Sequence, residues 1–147
     1  MSIKKILIIN GPNLNLLGER EPEVYGTETL MDLEKMINNH INKSNLKIDA
    51  TFFQSNSEGE LVNSIQSAGQ KLNGIIINAG GLSHTSVSIL DALLAIKIPK
   101  IEVHISNLFT REEFRHSSYI SKGVNGIVCG FGLNGYLLAI DGINKLI

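Results

Sequence analysis

The sequence lacks the features that mark several large classes of protein. Its single cysteine, Cys129, excludes an intrachain disulfide and a thiolate metal cluster. The 13 basic and 14 acidic side chains leave a net charge of −1, which is not the pattern of a protein that binds nucleic acid or an anionic membrane. No apolar run approaches the length of a membrane span, and the short one at the N-terminus lacks a signal-peptide cleavage site. We therefore expect a cytoplasmic protein that binds neither nucleic acid nor membrane.

No repeat, low-complexity tract or linker interrupts the chain, so residues 1–147 are expected to form one domain. Five apolar runs alternate with helical patterns. Most of these runs are continuously apolar, as in strands covered on both faces of a sheet, whereas the second alternates with a period of two, which suits an edge strand. The predicted strands are residues 4–10, 46–54, 74–78, 100–105 and 125–130.

Helical periodicity and capping residues place helices between these strands. One of them has Val87, Leu90 and Leu94 on a single stripe, which is predicted to face the core. A short helix is predicted to begin at Thr110, because Glu113 completes a capping box three residues later. The longer predicted helices are residues 28–41, a helix that opens at the capping box of residues 57–60, residues 86–96 and residues 134–145.

Alternating strands and helices predict an α/β fold with a parallel sheet and right-handed crossovers. Five such units favour the flavodoxin-like three-layer sandwich with strand order 2-1-3-4-5. In that order the first, third and fourth strands are neighbours, so the loops at their carboxyl ends meet at one edge of the sheet. Open α/β sheets bind ligands at this edge.

Two of the three loops are rich in polar groups or glycine. The loop after the first strand delivers Asn13, Arg20 and Tyr25. The loop after the third strand contains glycines at residues 80–81, which let the backbone approach a ligand just before a helix N-terminus suited to an anionic group. Taken singly, the first loop is equally compatible with a polar surface connection, and the second with a turn whose serine or threonine caps the next helix.

The fourth strand ends in a pair of residues suited to proton transfer. Alternation puts Glu102 and His104 on the same face, and a carboxylate beside an imidazole selects its tautomer and raises its basicity. A histidine held in this way can donate a proton near neutral pH. Further along, Arg111 and Arg115 would share one face of a helix, where they can bind an anion or form a solvated, salt-bridged surface.

Two other patterns are interpreted as structural. Residues 130–135 match the dinucleotide fingerprint G-x-G-x-x-G, but neither a second strand nor the required acidic residue follows, so a turn and close helix–sheet packing are expected. The four histidines have no metal-ligand spacing, so no metal is expected. With the dinucleotide fingerprint also rejected, no cofactor is expected. His40 and His116 are expected at the surface without a partner.

Five segments match the motifs of a known family in order and spacing. They are N-G-P-N-L-N-L-L-G-x-R-E-P-x-x-Y-G from Asn10, the asparagine and H-T-S of residues 78–86, E-V-H-I-S-N from Glu102, R-E-E-F-R from Arg111, and the glycine-rich run of residues 126–136. On these segments the chain resembles type II 3-dehydroquinate dehydratase over essentially its whole length. Enzymes of this family are lyases of the shikimate pathway of aromatic amino acid biosynthesis. They dehydrate 3-dehydroquinate to 3-dehydroshikimate through an enolate, without a metal or a Schiff base.

The resemblance implies a role for each matching residue. Tyr25 would be the base that removes the proton α to the carbonyl, and since a phenol is ordinarily protonated at neutral pH, it would depend on the cations Arg20 and Arg111. His104, oriented by Glu102, would protonate the departing hydroxyl. The resemblance further implies a dodecamer built as a tetramer of trimers. The remaining implied roles are water-mediated stabilisation of the enolate by Asn13, a place beside the acid for Asn78, carboxylate binding by Ile105 and Ser106, binding of ring hydroxyls by His84 and Arg115, and a contact of Asp91 with the site of a neighbouring subunit.

The residues leave two other functions open. One is a non-catalytic flavodoxin-like module that binds a phosphate or a nucleotide, which would explain the glycine-rich loops. The other is a hydrolase that uses Ser83 or Ser86 with His104, although the G-x-S-x-G elbow is absent. The chain also departs from the family at Ala79, where a proline is usual, and this affects the expected order of the loop.

Overall fold

Five parallel strands form the central sheet of the protein, which is described for residues 2–147 by a computed structural model. They are β1 (Lys4–Asn10), β2 (Ile48–Gln54), β3 (Gly74–Asn78), β4 (Lys100–His104) and β5 (Gly126–Cys129). Their spatial order is β2-β1-β3-β4-β5, which confirms the predicted flavodoxin-like order and places β2 at an edge. Because β3 pairs with both β1 and β4, the carboxyl ends of these three strands lie side by side.

Helices cover both faces of the sheet. They are α1 (Pro22–Tyr25), α2 (Leu30–Lys43), α3 (Glu58–Lys71), α4 (Val87–Ala95) and α5 (Asn134–Asn144). Ile6 and Ile8 of β1 pack in the core beneath α2 and α5, whereas Leu7 and Ile9 pack in the core beneath α3 and α4. Alternate residues of β1 thus enter two different cores, which is why this strand is continuously apolar. Within residues 2–147, no helix has the length and apolar character needed to cross a membrane.

The N-termini of α2 and α3 are fixed by caps that differ in detail from the predicted ones. Thr29 Oγ1 accepts the Asp32 N–H at 3.2 Å and the Asp32 carboxylate accepts the Thr29 N–H at 2.9 Å, so a complete capping box starts α2 at Leu30 rather than at residue 28. The box predicted at α3 forms only in part. Ser57 Oγ accepts the Glu60 N–H at 3.3 Å, but the Glu60 carboxylate accepts a hydrogen bond from a serine of the preceding loop.

The prediction that Val87, Leu90 and Leu94 of α4 face the core is wrong. Val87 and Leu94 are 54% and 58% exposed, whereas Ile89 and Leu93 are fully buried. Seven of the nine residues of this helix are apolar, so its periodicity does not distinguish the two faces, and the contact with α3 and the sheet decides which face is buried.

The helix predicted from Thr110 does not form, so this prediction is also wrong. Two separate 3₁₀ turns, Leu108–Thr110 and Glu113–Arg115, occupy the stretch, and Arg111 between them has an extended backbone. The Thr110 hydroxyl donates back to a carbonyl of its own turn at 2.8 Å instead of capping a helix. Arg111 and Arg115 therefore do not share a helix face.

Both histidines expected to lack a partner have one. His40 Nε2 lies 2.7 Å from Asp141 Oδ1 and links α2 to α5, while His116 Nε2–H donates to the Arg111 carbonyl at 3.0 Å. The first pair is 101 residues apart in sequence, so only the packing of α2 on α5 brings it together.

The glycine-rich stretch 130–135 is the turn between β5 and α5. Gly130 and Gly132 have φ angles of +95° and +63°, which favour glycine. Gly135 lies against the sheet, where a Cβ atom would be 3.4 Å from the Val128 side chain, an ordinary van der Waals contact. The predicted turn is confirmed, but the packing of α5 on the sheet does not itself require glycine at this position.

Candidate active site

The carboxyl ends of β1, β3 and β4 open onto a cleft of about 670 Å³, a volume that includes space open to solvent. Two of the residues implicated by sequence lie outside its wall: Glu102 is buried behind His104, and Asp91 is exposed on α4. The implicated residues that line the cleft are Asn13, Arg20, Tyr25, Asn78, His84, His104, Ile105, Ser106, Arg111 and Arg115.

His104 and Glu102 form a buried pair at the end of β4. His104 Nε2–H donates to Glu102 Oε2, and both side chains are almost completely removed from solvent. Because Nε2 donates to the carboxylate, Nε2 carries a proton, and Nδ1 is the ring nitrogen that can exchange a proton with a ligand.

Two hydroxyl groups from a distant segment complete the surroundings of Glu102. Ser118 Oγ–H donates to Oε2 at 2.8 Å and Ser121 Oγ–H donates to Oε1 at 2.5 Å. Burial by itself would raise the pKa of Glu102, but the hydrogen bond and charge of His104, together with the two serine hydroxyls, outweigh burial and lower this pKa. Glu102 is therefore an anion at neutral pH. Neither serine is predicted from the sequence, because neither lies at a helical or strand spacing from Glu102.

His84 lies against His104, with ring centroids 6.2 Å apart and ring planes inclined by 21°. Its Nδ1–H donates to the main-chain carbonyl of Ser117 at 2.7 Å, so Nε2 retains its lone pair. Burial lowers the pKa of His84, and the charges of His104 and Arg115 lower it further, against the opposing effect of the Ser117 bond. A neutral His84 can accept a hydrogen bond from a ligand hydroxyl.

Tyr25, at the end of α1, contacts two arginines, one from its own loop and one from the segment after β4. Arg111 Nη1–H donates to the Tyr25 hydroxyl at 2.9 Å and to Ser106 Oγ at 3.2 Å. The guanidinium carbons of Arg111 and Arg20 lie 5.3 and 5.4 Å from the centroid of the tyrosine ring. Two cations therefore lie beside the Tyr25 ring, and one of them donates to its hydroxyl.

A buried hydrogen-bond chain fixes Asn78 at the end of β3. Its Nδ2–H donates to the Tyr136 hydroxyl at 2.9 Å, and Tyr136 in turn donates to Asn10 Oδ1. Its Oδ1 accepts the Gly80 N–H at 3.1 Å and so also holds the loop that follows. Burial raises the pKa of the Tyr136 phenol, which is neutral and serves as a spacer between the two asparagines.

The remaining cleft residues are set by local backbone geometry. Asn13 has a φ of 71°, a left-handed conformation that asparagine tolerates, and its N–H donates to Asn56 Oδ1 at 2.9 Å. Arg115 reaches the cleft while its Nε–H donates to Glu112 at 2.5 Å. This arginine therefore both lines the site and takes part in a surface ion pair, the two alternatives that its sequence context left open.

The geometry does not support a serine hydrolase. Ser83 is fully buried outside the cleft wall, and Ser86 is occupied by its cap to the Ile89 N–H at 2.9 Å and by its hydrogen bond to Glu58. In the described part of the chain neither serine is hydrogen-bonded to His104, and no group of three His, Cys, Asp or Glu side chains could hold a metal ion.

Comparison with known proteins identifies the family of the chain. The sequence model of the family described as dehydroquinase class II matches residues 4–144. The 3-dehydroquinate dehydratase of Prochlorococcus marinus subsp. pastoris is 54% identical over 138 residues, which cover 94% of this chain and 93% of that protein. The crystal structure of the type II dehydroquinase from Butyrivibrio crossotus is 48% identical to this chain, with a TM-score of 0.92 over 97% of this chain and 98% of that one. The crystal structure of the type II dehydroquinase from Propionibacterium acnes is 40% identical to this chain, with a TM-score of 0.92 over 99% of each chain. The chain belongs to the class II dehydroquinase family.

Proposed function

We propose that this chain is a 3-dehydroquinate dehydratase, a lyase that eliminates water from 3-dehydroquinate to give 3-dehydroshikimate in the shikimate pathway. The observation that carries the proposal is the presence in one cleft of a tyrosine bound by Arg111 and a histidine bound by Glu102. A base and an acid on separate elements are what a stepwise elimination requires. A phosphate- or nucleotide-binding module would not need this pair.

In this mechanism Tyr25 removes the proton α to the substrate carbonyl. Its phenolate is stabilised by Arg111, which donates to the phenol oxygen, and by Arg20 beside the ring. The electron pair released from carbon moves to the carbonyl oxygen and forms an enolate. A water held by Asn13 donates to that oxygen and stabilises its charge.

In the second half of the reaction His104 protonates the departing hydroxyl as the enolate collapses. Glu102 keeps Nε2 protonated and stabilises the imidazolium, so the transferred proton comes from Nδ1. Loss of water regenerates the carbonyl as part of a conjugated enone. Tyr25 then releases the proton that it took and His104 regains one, which returns both groups to their starting forms for the next cycle.

The other cleft residues hold the substrate. Its carboxylate is bound by the main-chain amides of Ile105 and Ser106 and by the Ser106 hydroxyl, which accepts from Arg111 and so can donate to the ligand. The lone pair of His84 and the guanidinium of Arg115 bind ring hydroxyls, and Asn78 lies beside them in the wall.

The assembly and compartment follow from the resemblance to the family. We place the protein in the cytoplasm as a homododecamer, a tetramer of trimers, in which Asp91 reaches the site of a neighbouring subunit. The exposure of Asp91, Val87 and Leu94 on one helix supports an interface there. Light scattering should give twelve times the chain mass of 16.0 kDa, and a monomer would contradict this part of the proposal.

The test of the proposed activity is direct. Purified protein is mixed with 3-dehydroquinate, and the ultraviolet absorbance of the conjugated enone is followed. We expect the absorbance to rise in proportion to protein concentration. A protein without this activity, but with the absorption spectrum of a bound flavin or nucleotide, would instead be the non-catalytic module.

Two reagents should leave the activity unchanged because of the proposed chemistry. Borohydride added with substrate should not inactivate, since no lysine forms a Schiff base for it to reduce. Chelators of divalent metals should have no effect, since the enolate is stabilised without a metal. Residual activity is measured after each treatment and compared with protein treated without reagent. Inactivation by either would contradict the enolate route.

We further expect residues 18–26 to act as a lid that becomes more ordered over bound ligand. Gly18 and Gly26 have φ angles of +92° and +82° and flank the segment, in which no side chain is fully buried. Trypsin should cut after Arg20 in the free enzyme, and a carboxylated ring ligand that resembles the enolate should slow this cut. Cleavage at Lys145, far along the chain, provides the internal control. Equal rates at Arg20 with and without the ligand would refute the lid.

A further inference from the structure

The segment of residues 117–121, here called the serine segment, is fixed in the fold although it is not part of a strand or an α-helix. Ile120 is fully buried in the core beneath α3 and α4. The Tyr119 N–H donates to the Ser83 carbonyl at 2.8 Å and so ties the segment to the loop after β3. The segment therefore has a defined position behind the cleft.

From this position the serine segment contacts the supports of both cleft histidines. The Ser117 carbonyl accepts Nδ1–H of His84 at 2.7 Å. The hydroxyls of Ser118 and Ser121 donate to the two different oxygens of Glu102, at 2.8 and 2.5 Å. Glu102 thus receives three hydrogen bonds in a fully buried site, one from His104 and two from this segment.

These contacts bear on where the transferable proton resides. A buried carboxylate without donors is unstable as an anion and takes a proton from a neighbouring imidazolium. We propose that Ser118 and Ser121 are positioning residues for the dehydration: they stabilise Glu102 as an anion, aim it at His104, and so keep the proton on the imidazole that must deliver it. Only the expected change in kcat rests on the proposed function, whereas the stabilisation of the Glu102 anion does not.

His84 and Arg115 are two further titratable or charged groups on the cleft side of this pair. His84 stacks on His104 from the loop after β3, and Arg115 lies beside His84 in the cleft wall. Neither is hydrogen-bonded to Glu102 in the described part of the chain, so the two serines are the groups to vary.

The kinetic test compares Ser118→Ala, Ser121→Ala and the double variant with wild type. Each single variant should lose about tenfold in kcat, because a hydrogen bond to a charged group is lost, while KM stays within about twofold because neither serine touches the cleft. Ser121→Thr retains the hydroxyl, so its kcat should lie much closer to wild type than the kcat of Ser121→Ala. Ser67→Ala, on the exposed side of α3, is the matched control and should resemble wild type. An unchanged kcat, or a rise in KM that accounts for the whole loss, would overturn the proposal.

A stability measurement tests the same contacts without substrate. The folded protein holds the pKa of Glu102 below its ordinary value, so stabilisation from the serines is present above the usual carboxyl range and is lost as the pH falls through the folded-state pKa. The melting temperature of the double variant should therefore lie furthest below wild type at about pH 7 and approach it only as the pH falls below about 4. A deficit that is the same at every pH would show that the serines only pack and would refute the inference.

The two measurements separate the inference from the proposed function. Wild-type protein that does not dehydrate 3-dehydroquinate would refute the function, and the melting curves would still decide whether the serines stabilise the carboxylate. If the double variant does not fold, the two single variants provide the same pH comparison.

Discussion

Replacing Tyr25 by phenylalanine is expected to abolish turnover while substrate still binds. Phenylalanine keeps the ring beside which Arg20 and Arg111 lie, but it removes the oxygen that accepts from Arg111 at 2.9 Å and that would take the substrate proton. General-base catalysis contributes up to about 10⁴-fold, and we expect a loss in kcat of about that size. Steady-state kinetics, with calorimetric titration of a carboxylated ring ligand, would measure turnover and binding separately.

The matched control is Tyr119→Phe. Tyr119 is exposed, and its main-chain N–H, which donates to the Ser83 carbonyl, is unchanged by the substitution. This variant should retain wild-type turnover. If Tyr25→Phe instead keeps activity within a few-fold of the control, another group is the base and the assignment of Tyr25 is wrong.

His104→Ala is expected to lower kcat by about 10³-fold, and Glu102→Gln by about 10–100-fold. In the proposed mechanism the histidine transfers the proton to the leaving hydroxyl, so alanine would remove the acid itself. Glutamine keeps the shape of the glutamate and can still accept from Nε2–H of His104, but it loses the charge that stabilises the imidazolium. The order of the two losses therefore separates the group that transfers the proton from the group that orients it.

His40→Ala provides the control for loss of a histidine. His40 pairs with Asp141 between α2 and α5, away from the cleft wall, so its removal should reduce stability slightly and leave kcat unchanged. Circular dichroism of every variant would establish that each is folded. A larger loss at Glu102 than at His104 in folded protein would reverse the two roles.

The order of the sheet is determined by the sequence itself. Runs such as residues 4–10 are apolar at every position because their alternate side chains enter two cores, and their alternation with helices predicts a parallel sheet. The pairing of Glu102 with His104 is equally local, since two residues one pleat apart on a strand share a face whatever surrounds them. The meeting of the loops after β1, β3 and β4 is also predictable from the sequence, because the strand order places the carboxyl ends of these strands side by side.

Other features were decided only by tertiary structure. Which face of α4 is buried depends on its contacts with α3 and the sheet, because seven of its nine residues are apolar and its own pattern is ambiguous. Arg111 and Arg115 both reach the cleft, but through two 3₁₀ turns rather than the predicted helix. In each case competing local preferences are similar in energy, and long-range packing selects among them.

The contacts around the proposed catalytic groups were likewise decided only by tertiary structure. Ser118 and Ser121 bind Glu102 from 16 and 19 residues away, and Tyr136 bridges Asn78 and Asn10 across 58 and 126 residues. Hydrogen bonds of this kind have no sequence period, since they form between elements that the fold places side by side. The sequence by itself determined the sheet and the residues at its ligand-binding edge. Tertiary packing determined the contacts that set their protonation and orientation, because burial and hydrogen-bond partners exist only once distant segments meet.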